Sequence, residues 1–413
     1  MNRNEKRTDG VKNNSFAVCL LETARASGMK IADPSAPDAL ASLEYGQEHL
    51  LKKDAMDLFW RRNDLPSGRI RGFIPSVLPR HYRTSSKRKA SFFHGHFRLG
   101  MGYGHGGGGA DDGSLLEPET HGRIYACLRK LLNGPKYLEA AKSLNFCVIR
   151  GDEQETALIF NIFRANGSIV RNLRCLAQET ASAIPELKSC FMLLDTTRSG
   201  YYLESSAREG RDRMFKKFFG PSVLAQKLGG LKLFYPPEAF SQVNGAMCGP
   251  FASASLELLE PDPDARVIDL YCGYGLLSMK AAESVPHVIG MDWEGPAIRA
   301  AAANAEHLFP GKDIRFLTGA VTGESLRARL PLSREEKEFI LLDPPRSGAG
   351  NDVIEAIAAR RPRRIVAIFC GTDGIPPALR HWQANGYEAT AVRVLDMFPG
   401  TMNLETMVRL EHI

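Results

Sequence analysis

The sequence lacks the apolar segments that membrane insertion or secretion requires. No stretch of the 413 residues approaches the roughly 18 uninterrupted apolar residues of a bilayer-spanning helix. The opening residues, MNRNEKRTDG, are polar, and no apolar segment with a small-residue cleavage site follows them. We therefore expect a cytoplasmic protein with no membrane partner.

The cysteines lack the spacing of metal ligands. No CxxC pair and no repeated ligand spacing occurs among the eight, which favours reduced thiols and no metal cluster. They are Cys19, Cys127, Cys147, Cys175, Cys190, Cys248, Cys272 and Cys370.

A strong excess of one charge is also absent. The 53 Lys and Arg exceed the 47 Asp and Glu by six, which permits a polyanionic partner without requiring one. Apolar residues make up 44% and charged residues 24% of the chain, an ordinary globular composition. Two or three domains with full hydrophobic cores are expected at this length.

The first two of three predicted regions precede residue 236. Residues 1–75 are predicted to form a helical N-terminal extension, with candidate helices Ser15–Ala26 and Ala39–Trp60. Residues 76–235 combine a helix, His121–Asn133, with short strand-like runs, which is typical of an α+β domain. Those runs are Phe146–Arg150, Ala157–Ile162 and Phe191–Leu194.

Residues 80–98 of the middle region interleave basic and aromatic side chains. Cations neutralise phosphates and aromatic rings stack on unpaired bases, so this segment suggests RNA binding. The alternative is a solvated strand edge with ordinary core aromatics. The basic residues are Arg80, Arg83, Lys87, Arg88, Lys89 and Arg98, and the rings are His81, Tyr82, Phe92, Phe93 and Phe97.

A glycine-rich run begins at Gly100 and continues to Gly109. It matches GxGxxG loosely, but no helix start follows, as a phosphate-binding loop would need. With Asp111 and Asp112 next, we interpret it as a long loop between strands.

Residues 236–413 alternate regularly between apolar strands and helices. The strands are continuous apolar runs, as in a parallel sheet covered on both faces, so we predict a doubly wound, Rossmann-like α/β domain. The final run, Thr406–Leu410, is predicted to return antiparallel to the edge of that sheet. The other strands are Arg266–Leu270, His287–Asp292, Ile314–Thr318, Phe339–Asp343, Arg364–Phe369 and Glu388–Leu395, and the helices include Asn244–Leu259, Leu276–Glu283 and Pro296–His307.

The first of these strands ends in a turn that suits an adenosine-containing ligand. Gly273 and Gly275 let the backbone approach a ligand at the start of a helix. Ser278 stands where a dinucleotide-binding loop has its third glycine. Asp292 ends the next strand, where a carboxylate accepts ribose hydroxyls, and together these features favour S-adenosylmethionine.

A second polar turn follows the strand at Phe339. Asp343 ends this buried strand and is followed by two prolines, which stiffen the turn at the ligand-binding edge of the sheet. Arg346 stands where methyltransferases that act on planar nitrogens often have an aromatic residue. This arrangement argues against direct amine methylation.

Six motifs in order resemble the tRNA/rRNA (uracil-5-)methyltransferase family, which makes 5-methyluridine in RNA. They span about residues 235–413, and a weaker similarity reaches back to Tyr82. The motifs are Phe240-Ser-Gln242-Val-Asn244, DLYCGYG at 269–275, Asp292, LDPPRSG at 342–348, Cys370, and Asp396-Met-Phe-Pro-Gly-Thr401-Met-Asn-Leu-Glu405.

The resemblance implies a covalent mechanism, because uracil C5 is a poor nucleophile. Cys370 would add to C6 and make C5 nucleophilic, and Glu405 would remove the C5 proton after methylation. Gln242, Tyr271, Asp292 and Asp343 would contact S-adenosylmethionine, with Gly273 and Gly275 shaping the turn. Cys272, inside that turn, is expected to be a packing residue.

The chain departs from the family pattern at two positions beside the expected catalytic residues. Gly371 and Thr372 replace the usual Asn-Pro after the nucleophile, and Asn403 stands where a histidine is common. Neither a four-cysteine iron–sulfur motif nor a small N-terminal β-barrel is detectable, which favours the tRNA-modifying branch.

Methylation of the T-loop uridine of tRNA is therefore the favoured function, with rRNA uridine C5 methylation as an alternative. A catalytically inactive RNA-binding relative and a methyltransferase acting on a small molecule or another RNA atom also remain open. A monomer is expected, since RNA supplies the partner surface.

Overall fold

The structure is a computed structural model that describes residues 14–101, 114–198, 214–293, 295–333 and 337–413. Only the first two positions of the long loop predicted from the glycine-rich run are among the described residues. The rest of that loop, with Asp111 and Asp112, lies outside them.

The larger of two main sheets has eight strands in the order β1-β15-β16-β14-β13-β10-β11-β12. Neighbouring strands are parallel except at β16, which is antiparallel to both neighbours. The strands are β1 (Ile70–Ile74), β10 (Arg266–Leu270), β11 (His287–Asp292), β12 (Asp313–Thr318), β13 (Glu338–Leu342), β14 (Arg364–Phe369), β15 (Tyr387–Leu395) and β16 (Glu405–His412).

Helices cover both faces of this sheet, which explains why its strands are continuous apolar runs. Along β10, Val267 packs into the core on one face and Ile268 into the core on the other. The predicted doubly wound domain is confirmed. Its helices are α6 (Cys248–Leu259), α7 (Leu276–Ala282), α8 (Pro296–Leu308), α9 (Gly323–Arg329), α10 (Asn351–Ala358) and α11 (Ile375–Ala384).

The predicted position of the last strand at the sheet's edge is wrong. β16 lies between β14 and β15, and β1 occupies the edge beyond β15. Met407 and Val408 on successive positions of β16 are both fully buried, so the strand has apolar neighbours on both faces. An interior place gives these side chains the burial that an edge strand would not.

The N-terminal region adds to the same sheet. The helices α1 (Phe16–Ala26) and α2 (Tyr45–Arg62) pack on one face of it, and β1 pairs in parallel with β15. Helix α2 begins after the predicted Ala39, because the Glu44 side chain accepts the backbone N–H of Gln47 and caps the helix there. The proposed domain boundaries at residues 75 and 235 stay a prediction.

The middle region forms a six-stranded sheet in the order β3-β2-β4-β5-β6-β7, as expected for an α+β domain. Its helices cover one face, and the other face contributes to a hydrophobic core shared with α6. The strands are β2 (Ser85–Phe93), β3 (His96–Gly100), β4 (Leu144–Gly151), β5 (Thr156–Ile162), β6 (Leu187–Leu194) and β7 (Met214–Phe219). The helices are α3 (Glu119–Leu132), α4 (Leu138–Ala141) and α5 (Gly167–Ala183), and a hairpin of β8 (Leu224–Leu228) and β9 (Leu231–Tyr235) links this region to α6.

Among the described residues, no helix has both the length and the apolar character that crossing a membrane demands. In the same part of the chain, no group of three or more His, Cys, Asp or Glu side chains is arranged to hold a metal ion.

Candidate active site

The turn between β10 and α7 bends through residues with left-handed backbones. Tyr271, Gly273 and Gly275 have φ angles of 63°, 54° and 88°. A Cβ at Gly275 would also lie only 3.1 Å from the Cβ of Ala301. The two predicted glycines therefore permit a turn that other residues would strain, and Gly275 also lets helix α8 approach closely.

Asp292 holds this turn from the end of β11. One carboxylate oxygen accepts the backbone N–H of Gly273 at 2.6 Å, and the other accepts that of Trp293 at 2.6 Å. Burial raises the pKa of Asp292. Each oxygen keeps a second lone pair, so the carboxylate can accept a ligand hydroxyl while it fixes the loop.

A pocket opens where β10 and β13 end. Four of the six residues predicted to contact or shape the cofactor site line it, and the rings of Phe240, Phe251 and Tyr274 extend the lining. The other two predicted residues, Gly275 and Asp292, stand outside that lining. The four are Gln242, Tyr271, Gly273 and Asp343.

Asp269 also lines this pocket and was missed from the sequence. Its side chain is fully buried, and one oxygen accepts the hydroxyl of Ser278 at 2.6 Å. The other oxygen has no hydrogen-bond partner among the described residues, and burial raises the carboxyl pKa to about 7. A ligand donor that entered the pocket here would satisfy this buried acceptor. The available signal was an acidic residue inside an apolar strand.

Cys370 and Glu405 meet at the end of the paired strands β14 and β16. Phe369 pairs with Thr406 in antiparallel register, so the next residue outward on each strand brings Cys370 opposite Glu405. Cys370 is half-buried, whereas Glu405 is buried with 3% of its surface exposed. The two predicted catalytic side chains therefore share one site.

The electrostatics of this site favour the neutral forms of both groups. Burial, helped by the carboxylates of Glu405 and Asp343 and opposed by Arg346, raises the pKa of the Cys370 thiol to about 11. Burial also raises the pKa of Glu405 well above its usual range, with Asp343 adding to this and Arg346 again opposing. Asp343 thus borders both the pocket and the Cys370–Glu405 pair.

The structure shows the surroundings of the residues that depart from the family pattern. A Cβ at Gly371 would have the backbone oxygen of Arg346 as its nearest neighbour, 3.9 Å away, so these two loops are adjacent. Asn403 is exposed, and its amide donates to the hydroxyl of Thr401 at 3.3 Å. Cys272 is buried in the glycine turn, where its sulfur would lie 3.0 Å from a Cβ at Gly290.

Much of the basic and aromatic segment has a structural role. Arg80 donates to backbone oxygens and to Glu48, and Arg88 forms a buried bidentate pair with Glu117. Tyr82 and Phe97 are buried.

Two lysines of the same segment are placed differently. Lys87 and Lys89 lie half-buried on β2, on the sheet face away from α3, α4 and α5, with their ammonium groups 5.9 and 4.4 Å from the centre of the Phe146 ring. Lys89 also donates to Asn145. Arg98 shares this face from β3, where it is exposed with its guanidinium 4.3 Å from the centre of the Phe93 ring.

The residues predicted to be catalytic or to contact the cofactor all lie in one segment of the chain, and that segment has known relatives. Residues 225–413 match the model of the tRNA (Uracil-5-)-methyltransferase family. This segment, less than half of the chain, is similar to that family.

Two curated relatives agree with the match. The chain is 28% identical over 235 residues to an uncharacterized RNA methyltransferase of Oceanobacillus iheyensis, covering 57% of this chain and 49% of the relative. It is 34% identical over 180 residues to the 23S rRNA (uracil(1939)-C(5))-methyltransferase RlmD of Alkalilimnicola ehrlichii, covering 43% and 39%. The chain thus matches half or less of the length of these two relatives.

A solved structure extends the likeness beyond the family segment. The Pyrococcus abyssi tRNA (uracil-54, C5)-methyltransferase in complex with S-adenosyl-L-homocysteine has a TM-score of 0.66 with this chain at 17% identity. The alignment covers 91% of this chain and 86% of that one, so the two proteins share a fold across nearly their whole lengths.

Proposed function

We propose that this protein uses S-adenosylmethionine to methylate C5 of a uridine in structured RNA, through a covalent bond between Cys370 and C6 of the base. The observation that carries the proposal is the strand register that sets Cys370 opposite Glu405, beside a ligand pocket, in a segment similar to the uracil-5-methyltransferase family. The activity needs a thiol and a carboxylate at one site.

The polar groups of the pocket suit S-adenosylmethionine. The unpartnered oxygen of Asp269 offers a buried acceptor, and Asp292 retains lone pairs beside the glycine turn. Gln242, Tyr271 and Asp343 complete the residues that would hold the cofactor. When bound, S-adenosylmethionine supplies an electrophilic methyl group to C5.

The protein's own residues supply the covalent and proton-transfer steps. The Cys370 thiolate forms a bond to C6, which makes C5 nucleophilic. After C5 is methylated, Glu405 accepts the C5 proton, the electrons of that bond restore the C5–C6 double bond, and the thiolate leaves. Arg346 stabilises the thiolate, since its charge lowers the pKa of Cys370.

The RNA is expected to contact the middle region through Lys87 and Lys89. Both lie on β2, whose preceding residue Thr84 hydrogen-bonds the backbone of Gln242 at 3.0 Å, so the strand leads away from the pocket. A target base inside a folded loop would have to be splayed into the pocket, at a cost of roughly a few kcal/mol.

Within this proposal the tRNA T-loop uridine is the favoured target, because the cysteines lack the spacing of an iron–sulfur cluster. The match to an rRNA enzyme at 34% identity supports the alternative, uridine C5 in rRNA. A cytoplasmic monomer is part of the same proposal.

The proposal is tested by mapping 5-methyluridine by mass spectrometry in tRNA and rRNA from cells with and without the protein. We expect one uridine, in tRNA, to lose its methyl group when the protein is absent. A loss confined to rRNA would select the alternative target. No loss in either RNA, together with intact cofactor binding, would indicate an inactive RNA-binding relative.

A further inference from the structure

Helix α2 and the segment before Glu405 share a buried ionic cluster. Glu48, Lys52 and Asp396 all have 0% of their surface exposed. The Lys52 ammonium lies 2.8 Å from a carboxylate oxygen of Glu48 and 2.8 Å from one of Asp396. Removing charges from water costs free energy that only close pairing repays, so this cluster tolerates little displacement of its members.

Further hydrogen bonds join the same helix to the chain after Asp396. Lys52 donates to the backbone oxygen of Phe398 at 3.2 Å, and the backbone N–H of Gly400 donates to Glu48 at 2.5 Å. The hydroxyl of Tyr45 donates to the second oxygen of Asp396 at 3.2 Å. Helix α2 therefore holds the segment 396–400 at three successive points.

The segment held in this way carries Glu405. Asp396 directly follows Leu395, and Leu395 pairs with Glu405 where β15 and β16 meet. The connection between β15 and β16 thus begins and ends at this residue pair. Helix α2 holds the first half of the connection. The strand register sets Glu405 opposite Cys370, and the held connection leads directly into the end of β16 at which Glu405 lies.

We propose that Tyr45, Glu48 and Lys52 are positioning residues for Glu405, and that the N-terminal helix thereby sets the rate at which the C5 proton is removed. This inference rests on the proposed function. In that step the C5–H bond breaks, Glu405 gains the proton, and the C6–sulfur bond breaks as the C5–C6 double bond forms again. Addition of Cys370 to C6 precedes it and does not need Glu405 as a base.

The inference predicts a specific kinetic defect. Lys52→Met and Tyr45→Phe should slow breakdown of the methylated Cys370 adduct on the order of tenfold to a hundredfold, since small displacements of a catalytic group cost that much. The adduct should then accumulate on ordinary uridine RNA as a protein–RNA complex that survives denaturation. Product formation from 5-deuterouridine RNA should show a larger isotope effect than in the wild type, as it should in Glu405→Gln.

Tyr45→Phe removes a single hydroxyl and is the decisive variant if Lys52→Met does not fold. The control is Glu338→Gln, which weakens the pairing of a buried carboxylate with Arg266 and Arg360 at the opposite end of the sheet. It should lower stability without changing the isotope effect. Hydrogen exchange of residues 396–405, measured without cofactor or RNA, should speed up in Tyr45→Phe but not in the control.

The inference would be overturned if Tyr45→Phe had the same isotope effect and adduct lifetime as the wild type. The cluster would then have a purely structural role. The same holds if Glu338→Gln changes them equally. If the wild type forms neither adduct nor product with any uridine RNA, the proposed function itself fails, and this inference falls with it.

Discussion

Cys370 stands opposite Glu405 one position beyond the last paired residues of two antiparallel strands. This relationship explains why Glu405 disfavours ionisation of Cys370, since the Glu405 carboxylate adds to the burial that raises the pKa of the thiol.

The rate of adduct formation should rise with pH. A thiol with a pKa of about 11 is almost entirely protonated at pH 7, and its thiolate fraction grows about tenfold per pH unit below that value. Single-turnover formation of the adduct with 5-fluorouridine RNA, followed from pH 6.5 to 9, should show this increase. A rate that is flat over this range would contradict a thiol that must lose its proton.

Arg346 should matter through its charge. Its guanidinium lowers the pKa of Cys370, so Arg346→Met should raise that pKa and slow adduct formation at pH 8 by up to about tenfold, equivalent to about one pKa unit. Arg346→Lys retains the charge and serves as the matched control. Equal rates in the two variants would show that the side chain acts in another way.

Asp269 should contribute to cofactor binding. Asp269→Asn should weaken binding of S-adenosylmethionine about tenfold to a hundredfold, because a hydrogen bond to a charged group contributes about 1.5–3 kcal/mol. Binding to the wild type should strengthen between pH 6 and 8, since the carboxyl with its pKa of about 7 ionises across that range and a cationic ligand prefers the ionised form.

Isothermal titration calorimetry measures both effects, and Asp313→Asn, at an exposed position on β12, is the control. Wild-type affinity that is independent of pH and unchanged in Asp269→Asn would show that this oxygen does not face the ligand.

Lys87 and Lys89 should bind RNA phosphates. The double variant Lys87→Ala/Lys89→Ala should weaken binding to RNA and reduce the salt dependence, with the slope of log K against log salt falling by about 0.7–0.9 per lysine. The control pair, Lys136→Ala/Lys142→Ala, removes two exposed cations on the helical side of the same sheet. An unchanged salt slope in the first variant would place the RNA elsewhere.

The C-terminal sheet could be predicted from sequence because its strands are short apolar runs separated by helices at regular intervals. Strands Arg266–Leu270, His287–Asp292 and Arg364–Phe369 agree residue for residue with the structure. The place of β16 inside the sheet could not be predicted, because strand order depends on long-range pairing with β14 and β15.

The contact between helix α2 and the segment after β15 could not be predicted from the sequence, for a related reason. Glu48 and Lys52 have the spacing of a solvated pair on a helix surface, and their buried partner Asp396 lies more than 300 residues away. Likewise, nothing in the segment Arg80–Arg98 distinguishes Arg88, which pairs with buried Glu117, from the half-buried lysines beside it. Which of these charges have a structural role depends on tertiary pairing rather than on residue type.

The most direct test of the central claim is mass-spectrometric analysis of the protein after incubation with S-adenosylmethionine and 5-fluorouridine RNA. Fluorine at C5 blocks proton removal, so the account predicts a stable adduct, with the modified base attached to the peptide that contains Cys370. Cys370→Ala should form no adduct and no 5-methyluridine. An adduct on another residue, or methylation of uridine by Cys370→Ala, would contradict the account.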